Sequence, residues 1–346
     1  MKTVRPTSRD IARLAEVSQA TVSRALRNSP LVRPETRERI ESIARELSYR
    51  TDRRAAGLRT RRSNTLALLL FEESSADGDG QINPFFMSML GHITRATARR
   101  GLDLLVSFQQ LSDDWHTDYQ LSNRADGLIL LGYGDYISSM PRLRKLADAG
   151  ANFVIWGPDV DGTPGRYVRT DNTAGGMQAT RHLLRNGRRC IAYLGSSSDH
   201  WPEFQARYRG YECALHDAGI PPDPLLCVEA QSSEQAGHEA ATQLLNSRVE
   251  FDAIFAASDL IAMGAISAMR ERGRTVPGDV AVIGFDDIAA AAHFIPPLTT
   301  VQQDTHRAAG MLVDNLVKMT AGEPVESALI EPKLVVRDSC GGSEEP

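Results

Sequence analysis

Cysteine is scarce in this 346-residue chain, and its four copies, Cys190, Cys213, Cys227 and Cys340, share no C-x-x-C spacing. That pattern excludes a disulfide scaffold and a zinc ribbon; it fits reduced thiols and a cytoplasmic location. Long apolar runs are missing as well. No stretch approaches the roughly 20 residues a membrane helix needs, and the polar, basic start of the chain carries no apolar leader core. The eight histidines are dispersed, with no i, i+4 pair. No G-x-S-x-G, H-E-x-x-H, Walker or G-x-G-x-x-G pattern occurs, so no catalytic residue, cofactor or metal is expected.

What is present divides unevenly. An apolar content of 42% and a charged content of 24% are those of a globular protein, long enough for two or three domains. Residues 1–62 hold 16 Lys and Arg against 7 Asp and Glu, a net charge of +9. The remaining 284 residues hold 23 against 37, a net of −14. A basic head on an acidic body suits phosphate binding by the head, which the overall pI conceals.

Within the head, Ile11, Ala12, Leu14 and Ala15 place an apolar stripe at helical spacing, with Ser8 positioned to cap the first turn. Glu16-Val17-Ser18 breaks the pattern, and Ser18 can cap a second helix over 19–26. Val22 and Leu26 of that helix face inward. Gln19, Ala20, Thr21, Ser23 and Arg24 are left outside, where amides, hydroxyls and methyls can read base edges and phosphates. A third helix opens at Pro34, with Ile40, Ile43, Ala44 and Leu47 at i, i+3, i+4 and i+7. The pattern predicts a helix-turn-helix in a three-helix unit over 1–49; an ordinary helical hairpin is the competing reading.

The string S-Q-A-T-V-S-R-A-L, followed by T-R-E-R-I and L-S-Y, closely resembles the headpiece of the lactose-repressor (LacI/GalR) family of bacterial transcription regulators. One departure is Glu16, where that family usually has a turn glycine. The resemblance implies that Ser8, Ser18, Gln19, Ala20, Thr21, Ser23, Arg24 and Asn28 meet DNA. It also gives a role to the basic, coreless residues 50–63. In the family this linker folds into paired hinge helices on DNA, and a leucine wedges open a minor-groove base step. Leu58 stands at the place of that leucine, and Ala55 where a small residue packs against its partner. Leu58 is the one large apolar side chain between Tyr49 and Leu66, which suits a wedge.

From residue 64 short apolar runs alternate with helical stretches: 66–71, 102–108, 127–131 and 152–156, then, after 167–171, 190–194, 226–229, 253–257 and 280–285. Helices are expected near 85–100, 114–122, 138–149, 174–186, 204–218, 233–247, 260–272 and 304–320. Two successive series of this kind predict two doubly wound α/β lobes with a cleft between them over 64–338. This is the architecture of periplasmic sugar-binding proteins. Loop 72–82 is longer and more acidic than the family usually carries. Residues 339–346 are expected to form a disordered tail, and the absence of a leucine heptad run favours a homodimer over a tetramer.

Ligands of such folds lie at the carboxyl ends of strands. Phe85 and Phe86 follow the first strand and can line a pocket or pack in the core. Tyr133 and Trp156 end the third and fourth, where Trp156 can stack on a sugar ring or pack half-buried. His200, Trp201 and Glu203 precede the helix bearing A-R-Y-R-G-Y. That motif resembles the family's R-x-x-G-(aromatic) element, which implies that Arg207 binds effector oxygens; its planar five-donor fork suits vicinal hydroxyls. Ser258-Asp259 stands where the family usually has Asn-Asp, and a plain helix cap is the alternative. P-G-D-V-A-V-I-G-F-D-D at 277–287 matches the family closely and implies that Asp286 accepts sugar hydroxyls, with Gln303 a weaker candidate. Asp171-Asn172 marks the passage between lobes as a cap or a ligand contact.

The expectation is a cytoplasmic transcription regulator, a repressor, that binds a pseudo-palindromic operator as a homodimer under control of a mono- or disaccharide. A purine corepressor is the second choice of ligand. An enzyme and a sugar-binding transport protein are the rivals; the missing catalytic motifs oppose the first, the basic headpiece and the missing leader the second.

Overall fold

The structure is a computed structural model that describes residues 6–26, 28–49, 62–71, 82–132, 134–157, 160 and 162–342. The chain divides into two compact units, residues 1–63 and 64–346. The expected hinge over 50–63, with Ala55 and Leu58, lies outside the described residues apart from its end, as does Tyr133 and loop 72–82 apart from Ile82.

The first unit is the three-helix headpiece: α1 Ser8–Leu14, α2 Gln19–Ala25 and α3 Pro34–Glu46. Ile11, Ala15, Val22, Ala25, Val32, Ile40 and Ala44 close its core. Leu14, expected in the stripe, is 53% exposed. It sits on the outward flank of α1 because Ile11 and Ala15, one turn apart, already fill the inward face. The cap of α1 also shifts by one residue. Thr7, not Ser8, takes the N-cap position, and its N–H and Oγ1 both donate to the Asp10 carboxylate at 2.8 and 2.7 Å. Between α1 and α2, Glu16 adopts φ 52°, a left-handed conformation that favours glycine. The departure noted at this position is therefore tolerated at a cost of about 1–2 kcal/mol.

The second unit holds two six-stranded sheets. In the first lobe are β1 Thr65–Leu70, α4 Pro84–Arg99, β2 Asp103–Phe108, β3 Gly127–Leu131, α5 Tyr136–Asp148, β4 Phe153–Trp156 and β5 Arg166–Thr170. The second lobe continues with α6 Asn172–Arg185, β6 Ile191–Leu194, α7 Pro202–Asp217, β7 Cys227–Val228, α8 Glu234–Asn246, β8 Ala253–Ala256, α9 Asp259–Glu271, β9 Ala281–Asp286 and β10 Thr299–Gln302. The stretch expected as a helix near 114–122 is a π-helical segment, His116–Leu121.

The chain then returns to the first lobe, which periodicity alone did not reveal. α10 (Thr305–Thr320) packs on α4, β3, β4 and β5, and β11 (Ala328–Ile330) pairs in parallel with β5. A last crossing brings β12 (Lys333–Val335) antiparallel to β10. The strand orders are β11-β5-β4-β3-β1-β2 and β12-β10-β9-β8-β6-β7. All three crossings, near residues 171, 303 and 331, thus leave from one edge of each sheet.

The strands read as near-continuous apolar runs because both faces are covered. Leu66, Leu68 and Leu70 enter one core while Ala67 and Leu69, pointing oppositely, enter another. Glycines set the helix spacing in the second lobe. A Cβ on Gly176 of α6 would fall onto the carbonyl oxygen of Arg207, and one on Gly210 of α7 onto that of Thr173. Glycine costs a helix about 1 kcal/mol relative to alanine, and here it lets the two backbones touch. Residues 339 and 340, expected in a disordered tail, are packed into the second lobe. Ser339 and Cys340 are buried, and Ser339 Oγ accepts from Thr299 N (2.8 Å) and donates to Val282 O (2.6 Å). The polar composition there serves internal bonds.

Candidate functional site

On the headpiece, α2 presents its polar side to solvent. Ser18 caps it, accepting from Thr21 N at 3.1 Å and sharing a 2.8 Å bond with Thr21 Oγ1. Gln19, Ala20, Arg24 and Asn28 are exposed; Thr21 and Ser23 are half-buried. Gln19 Nε2 donates to Ser8 Oγ at 2.8 Å, so one helix steadies the amide that leads the other. Asn28 holds φ 56° in the turn after α2. Every described residue expected to meet DNA therefore lies on α2, its turn or the start of α1.

In the second unit a cleft of about 550 Å³ opens between the lobes, a size suited to a small organic ligand. Its floor is a polar constellation. Arg207 and Asp286, both more than nine-tenths buried, lie 3.7 Å apart at Nη1 and Oδ1. Arg207 Nε donates to Asn172 Oδ1 at 2.9 Å, and Nη1 donates to the carbonyl oxygen of Ala257. The guanidinium carbon stands 3.8 Å from the Phe285 ring centroid and 5.2 Å from that of Phe204, which fixes the plane of the fork. Gln303 Nε2 donates to Asp286 Oδ1 at 2.7 Å. Among the described residues no protein group bonds Arg207 Nη2 or Asp286 Oδ2, and neither atom is sealed from solvent. A donor and an acceptor are thereby offered side by side.

Backbone and charge prepare Asp286 for this place. It ends β9 with φ 118°, and Asp287 follows with φ 54°; such strain is held where the surroundings over-determine it. Asp287 turns away to an ion pair with Arg337 at 2.6 Å. Beneath them Asp259 is fully buried, accepting from Ile288 N at 2.8 Å and from Thr300 Oγ1. Gly284 leaves room for that carboxylate, since a Cβ there would fall onto Asp259 Oδ1. Burial raises the Asp286 pKa to about 6, with Arg207 and the Gln303 bond pulling the other way. Burial, and then the nearby Asp286, push the Asp259 carboxyl well above the ordinary range.

The walls are aromatic. Phe85 and Trp156 rings lie 5.9 Å apart, and Phe86 meets Phe85 edge-on at 5.5 Å. All three line the cleft, as do Trp201 and Glu203. Ser258 does not. Its hydroxyl caps α9 and accepts from Ser232 Oγ at 3.0 Å, so it reaches the cleft only through Ser232. Asp171 caps α6, while Asn172 orients Arg207. Sequence reasoning missed Arg169, Glu229, Gln231, Ser232, Glu239 and Gln243. Glu239 and Gln243, one turn apart on α8, are exposed to the open cleft, and their polar composition is that of any solvent-facing helix pair, so the sequence carried no signal for them.

A family model described as "Bacterial regulatory proteins, lacI family" matches residues 7–52, and a periplasmic binding protein-like domain matches residues 180–340. The chain is 35% identical to the HTH-type transcriptional regulator CelR of Thermobifida fusca over 97% of its own length and 98% of the relative's. The chain belongs to the lacI family. A second regulator, DegA of Bacillus subtilis (strain 168), is 31% identical over 95% of this chain and 96% of the relative. A solved structure described as a complex of CelR with cellobiose superposes with a TM-score of 0.70 at 32% identity, covering 97% of this chain and all of that one. As a member of this family the protein is a DNA-binding transcriptional regulator. The helix-turn-helix and the two-lobed body stand where the family motifs in the sequence implied. Among the described residues no helix is long and apolar enough to cross a membrane.

Proposed function

We propose that this regulator represses transcription in the cytoplasm as a homodimer whose grip on a pseudo-palindromic operator is set by a neutral saccharide of one or two rings. The observation that carries the reading is the buried Arg207–Asp286 pair, with Nη2 and Oδ2 still open, set among Phe85 and Trp156. An aromatic face takes the apolar side of a sugar ring. A fork beside a carboxylate takes vicinal hydroxyls, each of which both donates and accepts. The complex of CelR with cellobiose supports the sugar class. Gln19, Ala20 and their neighbours on α2 read the half-site, one per protomer, and Leu58 wedges the central step. Ligand in the cleft draws the lobes together, so effector and operator affinities are linked by a coupling free energy, typically 1–3 kcal/mol.

A thermal-shift screen of the full chain against saccharides and nucleobases tests the ligand class. A saccharide at hundredfold excess over its Kd adds about 2.7 kcal/mol of stability, an upward shift of several degrees. Stabilisation by nucleobases alone would overturn the sugar reading.

A further inference from the structure

Among the described residues, hydrogen bonds bridge the lobes across the cleft at two places that lie away from the three crossings. The crossings gather at the β11–β5 and β12–β10 edges, whereas the bridges arise from the loops after β3, β1, β6 and β7, toward the opposite edges. In one, His200 Nδ1 meets Asp135 Oδ2 at 2.7 Å, and the neighbouring Tyr136 N donates to His200 O at 3.0 Å. In the other, Asn83 Nδ2 donates to Ser232 Oγ at 3.2 Å. The first is ionic and the second is neutral. His200 adjoins Trp201, which lines the cleft, and Asp135 Oδ1 is already engaged in capping α5 through Ser138 N at 2.9 Å. Each partner is thus anchored in its own lobe, and the pair adds little beyond a tie between the two.

We propose that Asp135 and His200 are the positioning residues of cleft closure, a latch at the mouth that holds the two lobes together when both side chains are charged. The charged groups facing the imidazole are Asp135, on the first lobe, and Asp199, beside it in the loop; both favour the imidazolium, with the Asp135 bond foremost. Asp135 itself is held below the ordinary carboxylate range by the Ser138 backbone bond and by His200. The latch is therefore set at mildly acid pH and released as pH rises through the raised histidine value. Asn83 and Ser232 carry no charge and do not follow pH. The proposal rests on the reading of the cleft as an effector site only for its biological purpose.

The test needs no ligand. Spin labels on Cys213, exposed on α7, and on Arg144→Cys, exposed on α5, report the distance between lobes in the full chain, with Cys190 and Cys227 replaced by serine. At about pH 6 the wild-type background gives one dominant short distance; at about pH 8.5 a longer component grows. The closed-to-open ratio falls by about two- to five-fold, the range an exposed ion pair supports. His200→Asn and Asp135→Asn show the longer component at both pH values, and Asn at 135 keeps the helix cap. A distance distribution indifferent to pH, or one that the two variants leave unchanged, overturns the latch. Binding of no saccharide in the thermal screen would overturn the function proposed above and leave this distance result standing.

Discussion

Arg207 and Asp286, both largely buried, lie 3.7 Å apart, yet each keeps one polar atom open to the cleft. A pair this loose is not built to saturate itself. Removing either partner strands the other, which in buried settings costs several kcal/mol; adding a ligand hydroxyl completes both.

Replacing Arg207 by lysine keeps the charge and removes the fork that Asn172, Ala257 and the Phe285 ring hold in plane. Charge-assisted bonds of this kind contribute about 1.5–3 kcal/mol each, so calorimetry should show effector affinity lower by tenfold or more. Operator binding by the unliganded Arg207→Lys protein should match wild type.

Effector affinity should fall as pH drops through about 6, where Asp286 takes up its proton and can no longer accept from two hydroxyls. The sign follows from the raised pKa: the carboxylate form that binds is present above that value and lost below it. Asp286→Asn should bind weakly and flatten this acid limb in calorimetry between about pH 5 and 7.5. An acid limb that survives the substitution would assign it to another group.

Gly176→Ala would push α6 off α7 at the carbonyl of Arg207 itself. Overpacking of this sort costs about 1–3 kcal/mol, read as a lower Tm, and effector affinity should fall with it because the backbone that carries Arg207 moves.

The doubly wound architecture was legible because each buried strand is a bounded apolar run and each covering helix is amphipathic. Which sheet a helix covers was not legible. The apolar face of α10 fits either lobe, and only the observed packing on α4 and β3 puts it in the first. Arg207 and Asp286 could be found by motif, since the motif encodes a strand end and a helix register. Glu239 and Gln243 could not, because a polar helix face turned to a cleft has the composition of one turned to solvent. The pair Asp286-Asp287 shows the same limit. Only the left-handed backbone at both residues sends one carboxylate to the cleft and the other to Arg337.

Exchanging Gln19 and Ala20 should change the preferred half-site, with each position worth about 1–3 kcal/mol of base discrimination. Selection from randomised operators would read it. Leu58→Ala should weaken operator binding more than binding to unrelated duplex, since a wedge acts only where the central step is opened; equal losses in a titration at fixed salt would remove the wedge.

The central claim is that cleft and headpiece share one free-energy balance, and fluorescence anisotropy of labelled operator tests it directly. Titrations without ligand and with a saturating saccharide, its occupancy confirmed by calorimetry, should differ in operator affinity by about 5- to 150-fold. Arg207→Ala should abolish that difference. Unchanged operator affinity with the cleft demonstrably filled would contradict the account.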